Sequence, residues 1–287
     1  MDTAAMKNGV LCNLRIGRWN ASTKLPDNKL TEVPKQIVRA MQDLIEDKAR
    51  LKELATVRRM AKGELARNSI PFPIDGIWFV PKKFIARLDD RFKELRDINK
   101  ELVGNLLKDY GRMKRSMKER YPDYYNPEKY PSPEALKAKY HFDWKFFNIA
   151  MPKKGGVLSP ELYKEEQLKF QGMVKEMEEM TLTLVATRLH HRVNRLAAQC
   201  AGHKINSGTI RSIDRFLNHW DELWAGHVDE ERLHSIIKKL RAHMKGIDID
   251  GLKGSQGLQQ KTEKALNKIM KGLENIPNSS LKRKLDI

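Results

Sequence analysis

"PKKFIARLDDRFKELRDINKELVGNLLKDYGRMKRSMKER", residues 81–120, decides the class of fold. Ile85, Leu88, Phe92, Leu95, Ile98, Leu102, Leu106, Met113 and Met117 recur at spacings of mostly three or four, with charged residues between them. That period marks one face of an α-helix, because a helical turn takes about 3.6 residues. Pro81 stands where its fixed φ and missing N–H suit the start of a helix, and Pro122 ends the run. About forty residues at 1.5 Å each make a rod of roughly 60 Å. A stripe of that length needs a partner to cover it.

Residues 159–202 repeat the pattern. Ser159-Pro160-Glu161 reads as an N-cap followed by proline at the first helical position. Leu162, Met173, Met177, Met180, Leu184, Leu189, Val193 and Leu196 then form the apolar line, ending near Gly202. Two long amphipathic helices separated by a compact excursion predict a long antiparallel, coiled-coil-like helical hairpin. The fold class expected is mainly α with a small antiparallel β element.

The strands of that element are expected near residues 10–19, 74–80 and 142–150. VLCNLRIGRW partly alternates, and HFDWKFFNIAM alternates aromatic with polar residues. NSIPFPIDGIWFVP, residues 68–81, reads as an edge strand whose prolines need no partner and whose Ile74, Ile77 and Phe79 are buried. A helix is expected to start after Thr31, with Ile37, Met41, Leu44, Ile45, Leu51 and Leu54 on one face; a second spans about 57–67. The proline- and tyrosine-rich stretch 121–132 reads as turns, with a short helix near Glu134–Lys139. Ser207 and Asp229 are expected N-caps of two shorter helices, and IDIDGLKGSQG, residues 247–257, reads as a glycine-rich linker before a basic helix at 258–274. The chain thus divides on sequence into 1–156, 157–246 and 247–287.

Fifty-five Lys and Arg against thirty-seven Asp and Glu leave a net charge of +18, which favours a polyanionic partner. No run of apolar residues is long enough for a membrane span, and the first residues lack the core of a signal peptide. Cys12 and Cys200 are far apart and read as reduced packing residues, so a cytoplasmic protein without membrane association is expected.

Catalytic and metal-binding patterns are weak. GLKGSQG at 251–257 lacks the span and Lys-Ser/Thr of a phosphate-binding loop. No HExxH or CxxC occurs, and His190, His191, His219, His227, His234 and His243 show no ligand spacing. Asp89, Asp90, Asp123 and Asp143 are acid–base candidates only by being acidic, and alternation puts Asp143 on the solvent side. No cofactor, no metal and no enzymatic activity are expected.

Basic rows are the more informative signal. Arg188, Arg192 and Arg195 share a helix face, followed by Lys204, Arg211 and Arg215. Arg112, Lys114, Arg115 and Lys118 end the first long helix, and Lys238, Lys239 and Arg241 form a third group. Such rows can follow a phosphate backbone, although each also serves as a solvated helix face. Trp78, Trp144, Trp220 and Trp224 are candidate docking points for a protein partner, with packing as the simpler role.

The sequence also resembles a family. NLRIGRWNASTKL, then ARNSIPFPIDGIWFVPKKFIARLDDRFKEL, then a long charged helix and MKERYPDYY look like an uncharacterised domain family of bacteria and tailed phages. The pattern covers about residues 9–150, with Arg67, Gly76, Val80 and Pro81 among its marks. The resemblance implies a setting beside a MoxR-type or cobaltochelatase-like AAA+ ATPase and a protein with a von Willebrand A-type domain. It supplies no catalytic residues. Two function classes stay open: a non-enzymatic adaptor of such an ATPase, or a sequence-nonspecific nucleic-acid-binding protein.

Overall fold

A computed structural model of the chain describes residues 8–25, 41–149, 156, 158–224, 231–274 and 276. The fold is mainly helical with a small antiparallel sheet. Its strands are β1 (Gly9–Ile16), β2 (Ser22–Lys24), β3 (Met41–Asp43), β4 (Ile70–Pro71), β5 (Ile77–Pro81) and β6 (Phe142–Phe147). Its helices are α1 (Ala49–Asn68), α2 (Lys82–Arg120), α3 (Pro133–Ala138), α4 (Pro160–Ala201), α5 (Ser207–His219), α6 (Glu231–Lys245), α7 (Ile249–Gly254) and α8 (Gln256–Glu274). Strand order in the main sheet is β4-β5-β1-β6, and β2 and β3 form a separate pair. Two compact units interleave along the chain: one holds Met1–Leu11, Asn68–Lys82 and Asn148–Ile287, the other Cys12–Arg67 and Lys83–Phe147.

The second of these is built on α2. Its buried residues are Phe84, Leu88, Phe92, Leu95, Asn99, Val103, Leu106, Tyr110, Met113 and Met117. From Phe84 to Leu106 the steps run four, four, three, four, four, three. That is an eleven-residue repeat, which follows a straight helix more closely than a heptad does. The sequence expectation shifts accordingly: Ile98 is 42% exposed, and Asn99 occupies the stripe in its place. Asn99 is tolerated because its side-chain amide donates to the Tyr140 carbonyl at 3.4 Å.

Leu44, Ile45, Leu54, Tyr130, Leu136 and Tyr140 close over the far half of α2. Tyr110 donates its hydroxyl to the Pro131 carbonyl at 2.9 Å and meets Trp19 edge-on at 5.7 Å. The helix expected to run from Thr31 begins on undescribed residues, and where it is described it gives way to a strand. Met41–Asp43 pairs antiparallel with Ser22–Lys24, in register Ser22↔Asp43, and α1 then runs unbroken over both later helical segments. A helical spacing of Met41, Leu44 and Ile45 is overridden here by a distant strand partner.

In the other unit β4 and β5 form a hairpin with Ile70 opposite Phe79 and Pro71 opposite Trp78. The reversal needs Gly76, whose φ of 75 lies in the left-handed region. Ile74 therefore sits in the turn, 41% exposed rather than buried in a strand. α4 packs on β4, α5 and above all α8. His203 meets Gln259, while His190 lies 3.8 Å from Glu274, so α8 runs antiparallel to the end of α4. The hairpin-like pairing of a long helix is thus made by α4 with α8, whereas the sequence pairs α4 with α2. The apolar stripe of α2 is taken up inside its own unit.

Residues 249–254 form a helix where a linker is expected. Asp248 caps it by accepting from the Gly251 amide at 2.7 Å, and Leu252 is fully buried. α5 is capped by Asn206 and not by Ser207, its side chain accepting from the Gly208 amide. The expected cap Asp229 lies outside the described residues. α6 approaches α8 so closely that a Cβ on Gly272 would stand 3.2 Å from Ile236.

Leu106 is fully buried at the centre of the α2 cluster. Leu106→Ala is expected to cost about 2–5 kcal/mol in chemical denaturation. A loss below about 1 kcal/mol would remove α2 from the core of its unit.

Candidate polyanion-binding site

The apolar line of α4 near its C-terminal end is Leu189, Val193 and Leu196, all fully buried. Arg188, Arg192 and Arg195 each precede one of them, so they lie about 100° around the helix from the core. α5 folds back after Gly202, and Arg192 stacks its guanidinium 5.1 Å from the Phe216 ring of that helix. Between the two helices lies a cleft of about 280 Å3, lined by His191, Arg192, Arg195, Asn206, Gly208, Thr209 and Ser212. None of these residues is acidic.

Beside the cleft, arginine charges act on one another. Burial pushes the Arg188 guanidinium down to about 10, and the charge of Arg192 adds to the effect. Arg192 is lowered by burial and then by Arg215. Arg192 donates one terminal N–H to the Arg188 carbonyl at 2.8 Å, while its Nε is buried with no hydrogen-bond partner. The carboxyl of Asp214 sits above its ordinary value through desolvation, the opposite of what a close guanidinium would do. Arg215 reaches back to the Arg211 carbonyl one turn earlier on α5.

The remaining basic candidates are distributed elsewhere. Lys204 is exposed in the turn between α4 and α5, and Lys238 and Lys239 are exposed on α6. Arg241 is committed to the Leu217 carbonyl and the Asp221 carboxylate, each at 2.8 Å. Arg112, Lys114, Arg115 and Lys118 belong to the α2 unit. There Arg112 pairs with Asp109 at 3.1 Å, and Lys114 lies over the rings of Tyr110 and Tyr130. Arg115 and Lys118 are exposed.

Of the tryptophans, Trp220 is 2% exposed and packs edge-on against His234. Trp144 donates to Asp89 at 2.7 Å and packs against Phe92 and Phe142, with Arg96 stacked over it. Both are held by packing. Trp78 is half-buried and lines a small apolar cleft of about 90 Å3, formed by residues 71–78 with Glu176 and Met180. Trp224 belongs to the π-helical turn Trp220–Trp224, and its side chain lies outside the described residues.

The family model described as "protein of unknown function (DUF3150)" matches residues 6–223. The chain belongs to this family. No curated protein and no solved structure matches it. The match takes in α4, α5 and the whole cleft, and it ends before α6.

Among the described residues no group of three or more His, Cys, Asp or Glu is placed to hold a metal ion, and no helix is long and apolar enough to cross a membrane. Both thiols are buried, and burial pushes Cys12 up to about 12 and Cys200 up to about 11. The nucleophile is the thiolate, so neither cysteine should react with a disulfide reagent in the native protein at pH 8. Both should react once the chain is denatured. Rapid labelling of the native state would place a thiol at the surface instead.

Proposed function

We propose that this chain is a non-enzymatic helical protein that binds nucleic acid through its phosphate backbone, using the arginine face of α4 and α5. The observation that carries this reading is the cleft between α4 and α5, to which Arg192 and Arg195 contribute and whose described lining includes no acidic residue. Backbone contacts of this kind are sequence-independent, which suits guanidiniums, whose N–H donors pair with phosphate oxygens. The net charge of +18 supports it by raising the encounter rate with any polyanion. In this reading the protein works in the cytoplasm.

Mixed-sequence DNA or RNA should bind at low salt and release steeply between about 50 and 200 mM, as counterion release requires. Arg195→Gln and Arg211→Gln should each lower the slope of log K against log salt by about one. Failure of both DNA and RNA to bind at low salt would end this reading.

A second reading is favoured by the hairpin β4–β5, whose exposed Ile74 and half-buried Trp78 border an apolar cleft. Together with the family resemblance it supports an adaptor for a MoxR-like AAA+ ATPase, with or without a von Willebrand A-type protein, in a bacterial or phage system. Ile74→Asp should then abolish co-purification of the ATPase while leaving nucleic-acid binding unchanged. Persistent failure to co-purify any ATPase with the unaltered chain counts against the adaptor.

A further inference from the structure

We infer that the cleft between α4 and α5 is a discrete site for one phosphoryl group of the phosphomonoester type, the chemistry shared by the 5′-phosphate ending a nucleic-acid strand and by free inorganic phosphate. The inference deepens the nucleic-acid reading and rests on it for the larger of these two sources.

The cleft is a concave surface. At about 280 Å3 it falls just below the range for drug-sized ligand pockets, roughly 300–1,000 Å3, as suits a smaller group. A phosphate with its sugar fits such a space, whereas a duplex must lie across the surface. Its donors are of the kinds a phosphoryl group uses. Arg192 and Arg195 come from α4, while Thr209 and Ser212, two hydroxyl-bearing residues one helical turn apart on α5, belong to the same lining. Arginine presents a planar fork of N–H donors that matches two phosphate oxygens at once.

The site also has an unmet need. The Nε of Arg192 is buried without a hydrogen-bond partner, and a buried donor left in that state is costly. The charge that acts on Arg192 is that of a further cation, Arg215. A dianion answers this more fully than a diester, which carries one charge. The end of α5 adds little, because Asn206 already accepts from the Gly208 amide at 2.7 Å. Recognition therefore lies with the side chains.

The test compares a short single-stranded oligonucleotide carrying a 5′-phosphate with the same strand ending in a 5′-hydroxyl. At about 0.2 M salt, where long-range attraction is screened, the 5′-phosphate should bind about tenfold tighter, the effect of one charge-assisted hydrogen-bond pair. Arg195→Gln, at an exposed position, and Ser212→Ala should each erase that preference with the far-UV circular dichroism unchanged. Displacement of the 5′-phosphorylated strand by excess inorganic phosphate would confirm the phosphoryl group as the element recognised. Equal binding of the two strands overturns the discrete site while leaving backbone binding intact. If neither strand binds but inorganic phosphate titrates into the unaltered protein and not into Arg195→Gln, the phosphoryl site stands and the nucleic-acid reading falls. If none of the three binds, both are wrong.

Discussion

Burial of the α4 stripe is the constraint on which the rest of its unit depends. Met177, Met180, Leu184, Val185, Leu189, Val193, Leu196 and Cys200 are all buried along one helix. Covering so much apolar surface takes α8, α5 and β4 together, and this requirement fixes where those elements sit. Arg188, Arg192 and Arg195 are then placed by subtraction. Each adjoins a core residue, and Arg192 and Arg195 reach the cleft from there. Packing supplies the geometry of this arginine row.

The polar groups that remain inside are held by specific bonds. Gln259 is 2% exposed, donates to the carbonyls of Leu252 and Lys253, and meets His203. It thereby ties the end of α7 and the start of α8 to the turn that closes α4. His203 has a φ of 51 there, a conformation usually left to glycine or asparagine, and its contact with Gln259 offsets part of that strain. Asn99 has the corresponding role in α2. In both cases a single buried amide serves a carbonyl that the helices leave over.

Much of the fold is legible in the sequence where the signal is local and long. The bounds of α2 and α4 follow from periodicity, from proline and from the Ser159 cap, which accepts from the Leu162 amide as expected. Where an element is made by a distant partner, reading fails. β3 looks helical because Met41, Leu44 and Ile45 carry a helical spacing, and only pairing with β2 makes it a strand. α7 hides behind glycines because its one decisive residue, Leu252, is an isolated apolar position. The arginine row shows in the spacing 188, 192, 195, of which Arg192 and Arg195 line the cleft, whereas Asn206, Thr209, Ser212 and His191 gain meaning only when α5 folds onto α4. Thr209 and Ser212, three apart behind a capping asparagine, were the one faint signal for them.

The segment matched by the family ends at residue 223, but the helix that contributes most to covering α4 begins at Gln256. Inheritance and folding therefore draw different borders on this chain. Leu266, Ile269 and Leu273 of α8 are buried in the same unit as the matched residues, outside the matched stretch. A fragment cut at the family boundary would keep Leu189, Val193 and Leu196 while losing their largest cover, and would clump rather than stay dispersed.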